Sequence, residues 1–138
     1  MQTVSVSRTL PAGPDAVRAA LADVEAFMKA GGFSEASVDG DRIHLAQDLG
    51  LGRIELELDV VEASDAVLAY EQREGIFEAM RTWYGLEPAG EGTTVTATTE
   101  FALGGVVGSV LDATIVKRKR RHELAAQFDY LEAALDAD

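Results

Sequence analysis

Few residues in this chain are of a type that does acid–base, nucleophilic or metal chemistry. There are two histidines, His44 and His122, and no cysteine. His44 stands between Ile43 and Leu45 in a strand-like stretch. Alternation turns it away from those apolar neighbours and toward an outer face. His122 follows a basic run in a helical stretch. Two histidines without HExxH spacing do not make a zinc site. Ser34, Ser37, Ser64 and Ser109 lack a GxSxG setting, so a hydrolase triad has no support. Gly104-Gly105-Val106-Val107-Gly108 is glycine-rich but lacks the Lys-Ser/Thr that completes a phosphate loop, which makes it a strand-to-helix hinge. The absence of cysteine excludes disulfides, thiolate catalysis and Cys-ligated metals. No catalytic constellation, metal site or cofactor is read from these residues.

The basic run Lys117-Arg118-Lys119-Arg120-Arg121 is the feature with most chemical content. It holds five of the twelve basic residues of the chain. At 100° per residue, five consecutive side chains go right round a helix. Stepping back from Leu124 by three and four reaches Arg120 or Arg121, then Val116, Ala113 and Val110. One arginine therefore falls on the inward stripe, and Arg120 is the candidate. It can meet an anionic ligand group or an inward carboxylate such as Glu71 or Glu100. Alternatively it extends past the sheet edge to surface acids. The strand Phe77 to Glu87 offers Trp83 on one alternate set and Tyr84 on the other, either of which would bring an aromatic body with a polar tip to a pocket. Which set faces inward is not decided by the sequence.

The elements that must position these residues follow from periodicity. Thr3 to Leu10 is β-branched and alternating, a strand ended by Pro11-Ala12-Gly13-Pro14. Pro14 and Asp15 suit the first turn of a short helix, Ala16 to Ala22. A second short helix runs from about Val24 to Ala30 and stops at Gly31-Gly32. Strands are expected at Phe33–Val38 and Arg42–Leu49, joined by a hairpin at Asp39-Gly40. Arg53 to Glu62 has the clearest pattern: Ile54, Leu56, Leu58 and Val60 alternate with Glu55, Glu57 and Asp59. That is a strand with one buried and one wet face. Ala66–Arg73, Phe77–Glu87 and Thr93–Leu103 complete seven strands. From Val106 to Leu135 a long helix carries Leu124, Phe128, Leu131 and Leu135 on one stripe, roughly 45 Å if fully helical.

The 138 residues are read as one domain, 1–138, with 47% hydrophobic residues to build its core. No apolar run approaches the roughly 18–20 residues of a membrane span. There is no signal-peptide pattern at the N-terminus, and a cytoplasmic location is expected. The formal charge of −12 opposes binding to nucleic acid and to anionic membranes. Only three basic residues are lysines. An acid-rich, Lys-poor surface resembles that of cytosolic proteins from salt-loving microbes, where salt screens self-repulsion.

Consecutive antiparallel strands curl, and the long apolar-striped helix is the element able to cover the concave face. The expected class is α+β, a curved seven-stranded antiparallel sheet wrapped around a long C-terminal helix, with two short helices after the first strand. In this order of elements, with Pro14-Asp15-Ala16-Val17, Leu21 and Asp23 at the first helix, Gly92-Thr93-Thr94-Val95 before the last strand and Gly104-Gly105 before the long helix, the chain resembles the START/Bet v 1-like helix-grip superfamily. The likeness is to its polyketide cyclase/dehydrase and lipid-transport branch. It covers essentially the whole chain.

Such a fold leaves a cavity between sheet and helix. The expected function is binding of a hydrophobic or amphipathic small molecule, lipids included. The expected lining is Ile54, Leu56, Leu58, Tyr70, Phe101, Val110 and Val116, with Trp83 or Tyr84, and Arg120 as the polar contact. The alternatives are a cyclase/dehydratase-like enzyme, with Arg81 and Glu100 the nearest acid–base pair, and a partner-binding module whose cavity is filled by side chains. No nucleic acid and no membrane insertion are expected; a homodimer is left open.

Overall fold

The structure is a computed structural model that describes residues 1–49, 52–104 and 112–136. The chain runs β1 (Gln2–Leu10), α1 (Pro14–Leu21), α2 (Val24–Lys29), β2 (Glu35–Asp39), β3 (Arg42–Leu49), β4 (Gly52–Val60), β5 (Leu68–Glu74), β6 (Phe77–Ala89), β7 (Gly92–Leu103) and the long helix α3 (Ala113–Asp136). The seven strands form one antiparallel sheet in the order β1-β7-β6-β5-β4-β3-β2. Chain order is kept from β2 to β7, and β1 closes onto β7, so the first and last strands are partners. This is the helix-grip arrangement expected from the sequence. The long helix starts at Ala113 and is not one unbroken run from Val106, because Asp112 is non-helical and its side chain accepts from the Thr114 N–H; Val106 itself, like Val110, lies outside the described residues.

Local chemistry accounts for the boundaries. Pro14 sits in the first turn of α1 with Asp15 beside it. The Asp23 side chain accepts a hydrogen bond from the Ala26 N–H and caps α2. The β2–β3 hairpin turns on Gly40-Asp41, one residue later than Asp39-Gly40, because Asp39 pairs with Arg42. Gly40 takes φ +61°, as the first central residue of a type II′ turn requires. Gly90 does the same at φ +62° between β6 and β7.

The core lies between the concave face and the helices. Leu124, Phe128 and Leu131 of α3 are fully buried, as are Phe27 and Met28 of α2. Arg8 of β1 fastens the C-terminal half of α3: it donates to Asp129 at 2.5 Å and Glu132 at 3.2 Å and lies 5.7 Å from the Phe128 ring centroid. With its C-terminal half packed this way, α3 leaves space under its N-terminal half. Among the described residues no helix is long and apolar enough to cross a membrane.

Candidate functional site: a cavity with one polar end

A cavity of about 280 Å³ lies under the N-terminal half of α3. Ile54, Leu56 and Leu58 of β4 form one wall, as their alternation with Glu55 and Glu57 requires. Phe77 and Met80 of β6 and Phe101 of β7 form the opposite wall, with Leu45 of β3 and Phe33 nearby. Val116 closes the helix side, and the exposed Ile115 and Lys119 stand at the opening. A larger groove of about 520 Å³ lies at the other end, between α1, α2 and the start of β5. It is open to solvent, and its charged residues, Arg18 and Asp65, are both exposed. The smaller cavity is the candidate site, since it combines apolar walls with converging buried polar groups.

Those groups centre on Arg120, whose side chain is only 11% exposed. Its Nε donates to Thr99 Oγ1 at 3.0 Å. Its Nη2 donates to the Tyr70 hydroxyl at 2.6 Å and faces Thr82 Oγ1 at 3.3 Å. Its Nη1 donates to Glu123 Oε1 at 3.1 Å. The Glu123 carboxylate, one helical turn on, also faces Lys119 Nζ at 3.7 Å. Burial pulls the Arg120 pKa down, but the oxygens of Tyr70 and Tyr84 and the Glu123 carboxylate raise it further, so the net shift is upward and the guanidinium stays charged.

The cluster continues inward as a directed chain. The Tyr84 hydroxyl donates to Gln127 Oε1 at 2.7 Å. Tyr84 has only one proton, so the 3.0 Å contact between Tyr70 and Tyr84 must run from the Tyr70 O–H to the Tyr84 oxygen. Tyr70 is then free to accept from Arg120. Donation runs one way, Arg120 to Tyr70 to Tyr84 to Gln127, through side chains that are almost wholly buried. Burial first, and then Tyr70, push the Tyr84 pKa well above the usual phenol value, partly opposed by Arg120.

Seven of the expected lining residues meet here: Ile54, Leu56, Leu58, Tyr70, Phe101, Val116 and Arg120. Tyr84 points inward but lies deeper, with its ring 5.3 Å from that of Phe27, and does not line the cavity. Trp83 is on the outer face, opposite Thr98, with Arg81 stacked 5.5 Å from its ring. Glu71 and Glu100, expected as inward carboxylates, lie on that outer side too. Glu71 is exposed, and Glu100 alternates with the buried Thr99 and Phe101. Arg81 and Glu100 are cross-strand neighbours away from the cavity, so they form no acid–base pair within it. The carboxylate that Arg120 meets is Glu123, on its own helix. His44 is on the outer face against Glu57, as alternation implies. Among the described residues no group of three or more His, Asp or Glu side chains could hold a metal.

Thr82, Thr99, Glu123 and Gln127 were not singled out from the sequence. Thr99 had a signal, two residues before the inward Phe101. Glu123 had one too, at i+3 from Arg120. Thr82 had none until the facing of β6 was known.

The family model for polyketide cyclase/dehydrase and lipid transport matches residues 1–136. No curated protein matches the chain. A Thermus thermophilus protein of solved structure is 19% identical, with TM-score 0.75 over 99% of this chain and 98% of its own. A START superfamily protein from Mycobacterium smegmatis is 13% identical, with TM-score 0.73 over 98% and 97%. The Zhui aromatase/cyclase from a Streptomyces species is 17% identical, with TM-score 0.65 over 97% and 90%. These likenesses establish a shared START/Bet v 1-type fold. With the family match spanning nearly its whole length, the chain belongs to the polyketide cyclase/dehydrase and lipid transport family.

Proposed function

We propose that the protein binds one small, mostly apolar molecule between the sheet and α3, with the Arg120–Tyr70–Thr99 cluster fixing its polar group. The observation that carries this reading is the cavity itself: apolar walls around about 280 Å³, with a buried guanidinium at one end. That volume is at the small end of the roughly 300–1,000 Å³ range of small-molecule pockets. It suits a ring system or a short chain rather than a two-chain lipid. An open cavity also weighs against a module whose cavity is filled by its own side chains. The test is native mass spectrometry for a co-purifying molecule, together with calorimetric titration of 2-naphthamide. Val116→Trp fills the cavity, and uptake is expected to weaken by about tenfold or more with the fold intact. Unchanged uptake by that variant sinks the reading.

The second reading is a cyclase/dehydratase-like enzyme. The 2.6 Å Arg120–Tyr70 contact favours it, because the Tyr70 oxygen holds a charged guanidinium at the end of the cavity, where it can polarise a substrate carbonyl. Turnover of a polyketide-like substrate, lost in Tyr70→Phe, would establish it.

The setting proposed is a cytoplasm of high salt, with residues 1–138 as one domain. The melting temperature is expected to rise from low to multimolar KCl as the self-repulsion behind the −12 charge is screened. A melting temperature that does not rise removes the high-salt proposal.

A further inference from the structure

We propose that the basic turn of α3 at the cavity mouth recognises the anionic end of the ligand, which is therefore an amphiphile with an apolar body and a carboxylate-like group. This rests on the cavity reading above and narrows its ligand class.

Charge is distributed unevenly along the chain. Residues 113–122 hold five cations and no acid. The rest of the chain holds seven cations and 24 acids, a balance of 7 − 24 = −17. Within α3 the second half, from Glu123 on, carries four acids and no cation. The helix dipole favours the reverse order, acids near the N-terminus and cations near the C-terminus. Helix stability therefore gives no reason for this arrangement.

Position supplies one. Lys119 stands at the mouth of the cavity. Lys117, Arg118 and Arg121 lie within one helical turn of it, about 5 Å along the axis. That is inside the Debye length of about 10 Å at ordinary ionic strength, so their field reaches the opening. Among the described residues, Lys119 and Arg120 are the members of the run that form ion pairs, both with Glu123. Ile115 is 58% exposed and extends the apolar wall outward beside Lys119.

Arg120 has a different task from its neighbours. Its charge is already faced by Glu123 and by the oxygens of Tyr70, Thr82 and Thr99. The inner end is thus balanced and suits a neutral carbonyl or hydroxyl. The cations of the run that form no ion pair among the described residues, Lys117, Arg118 and Arg121, lie on the helix within one turn of the mouth. An anion approaching this acidic chain is repelled over most of its surface and drawn to that one turn, which both steers it and holds it.

The experiment compares 2-naphthoate with 2-naphthamide, which match in shape and differ by one charge. Binding is measured by calorimetry at low ionic strength and in molar KCl, with sucrose holding the fold where salt is low. At low ionic strength naphthoate is expected to bind about tenfold more tightly than naphthamide. That preference narrows in molar KCl, where only direct contact between carboxylate and cation escapes screening, and it disappears in the Lys117→Gln/Arg118→Gln/Arg121→Gln variant, whose naphthamide affinity stays unchanged. Equal binding of the two probes by the unaltered protein overturns the inference and leaves the cavity reading standing. Failure of both probes overturns the cavity reading and this inference with it. Capture of the protein by phosphatidylglycerol vesicles without a naphthoate preference assigns the basic turn to a membrane surface and also overturns it.

Discussion

Arg120→Met is expected to lower the unfolding free energy by about 3 kcal/mol, the scale of breaking a buried ion pair from one side. For a chain of this length that is a fall of about 10 °C in melting temperature. The loss has two sources. Among the described residues Glu123, 14% exposed, is left with only the longer contact to Lys119. The Tyr70, Thr82 and Thr99 oxygens also lose a common donor in a place water reaches poorly. The ion-pair part is separable. Adding Glu123→Gln to Arg120→Met removes the stranded charge, so the double variant is expected to be more stable than the single one. Urea unfolding of both variants measures this. A double variant less stable than the single one would show that Glu123 has a partner other than Arg120 that matters more. The same pair bears on function. If Arg120 only holds the fold, the double variant keeps its affinity for 2-naphthamide. If Arg120 fixes the ligand's polar group, that affinity falls even where stability has been recovered.

The parts of this site that were legible in the sequence share one property: their facing follows from a period. β4 alternates so strictly that Ile54, Leu56 and Leu58 can occupy only one face, and all three line the cavity. The α3 stripe through Leu124, Phe128 and Leu131 likewise narrows the inward member of the basic run to two neighbours. The stripe passes through Arg120 or Arg121, and the structure places Arg120 inside and leaves Arg121 exposed. β6 has no such period. Phe77, Met80, Trp83 and Tyr84 place large side chains on both alternate sets, so apolarity does not choose a face. Register chooses it: Tyr84 sits opposite Ala97 and Thr82 opposite Thr99, both buried positions of β7. Trp83 therefore goes outside and the polar end gains Thr82. The Arg120 partners were missed for a related reason. Alternation separates Glu71 and Glu100 from the inner face, while the carboxylate that reaches the guanidinium comes from one turn along the same helix, where no strand pattern would point.

Tyr84 is expected to make a pH-dependent contribution to stability. Its folded pKa is raised, chiefly by burial, so the folded protein keeps this proton where the unfolded chain has released it. The sign follows. Below the ordinary phenol pKa of about 10 both states are protonated and the contribution is fully present. Above it the unfolded state binds fewer protons than the native state, and stability falls by up to about 1.4 kcal/mol per pH unit until the folded pKa is reached. Tyr84→Phe removes that one proton from both states. At neutral pH the variant is expected to be less stable by about 2 kcal/mol, because Gln127 Oε1 loses its donor and the Tyr70 O–H its acceptor, both fully buried. Above pH ~10 its stability is expected to fall less steeply than that of the unaltered protein, so the two curves converge. Parallel alkaline slopes would mean that the Tyr84 proton is not held by folding, and the one-way chain from Arg120 to Gln127 would lose its central link. Tyr130→Phe is the control, since Tyr130 is only half-buried and stands outside the Arg120 cluster, packed on the Phe27 ring at 6.3 Å. A change in slope confined to Tyr84→Phe ties the alkaline limit of the fold to the same hydrogen bonds that form the polar end of the cavity.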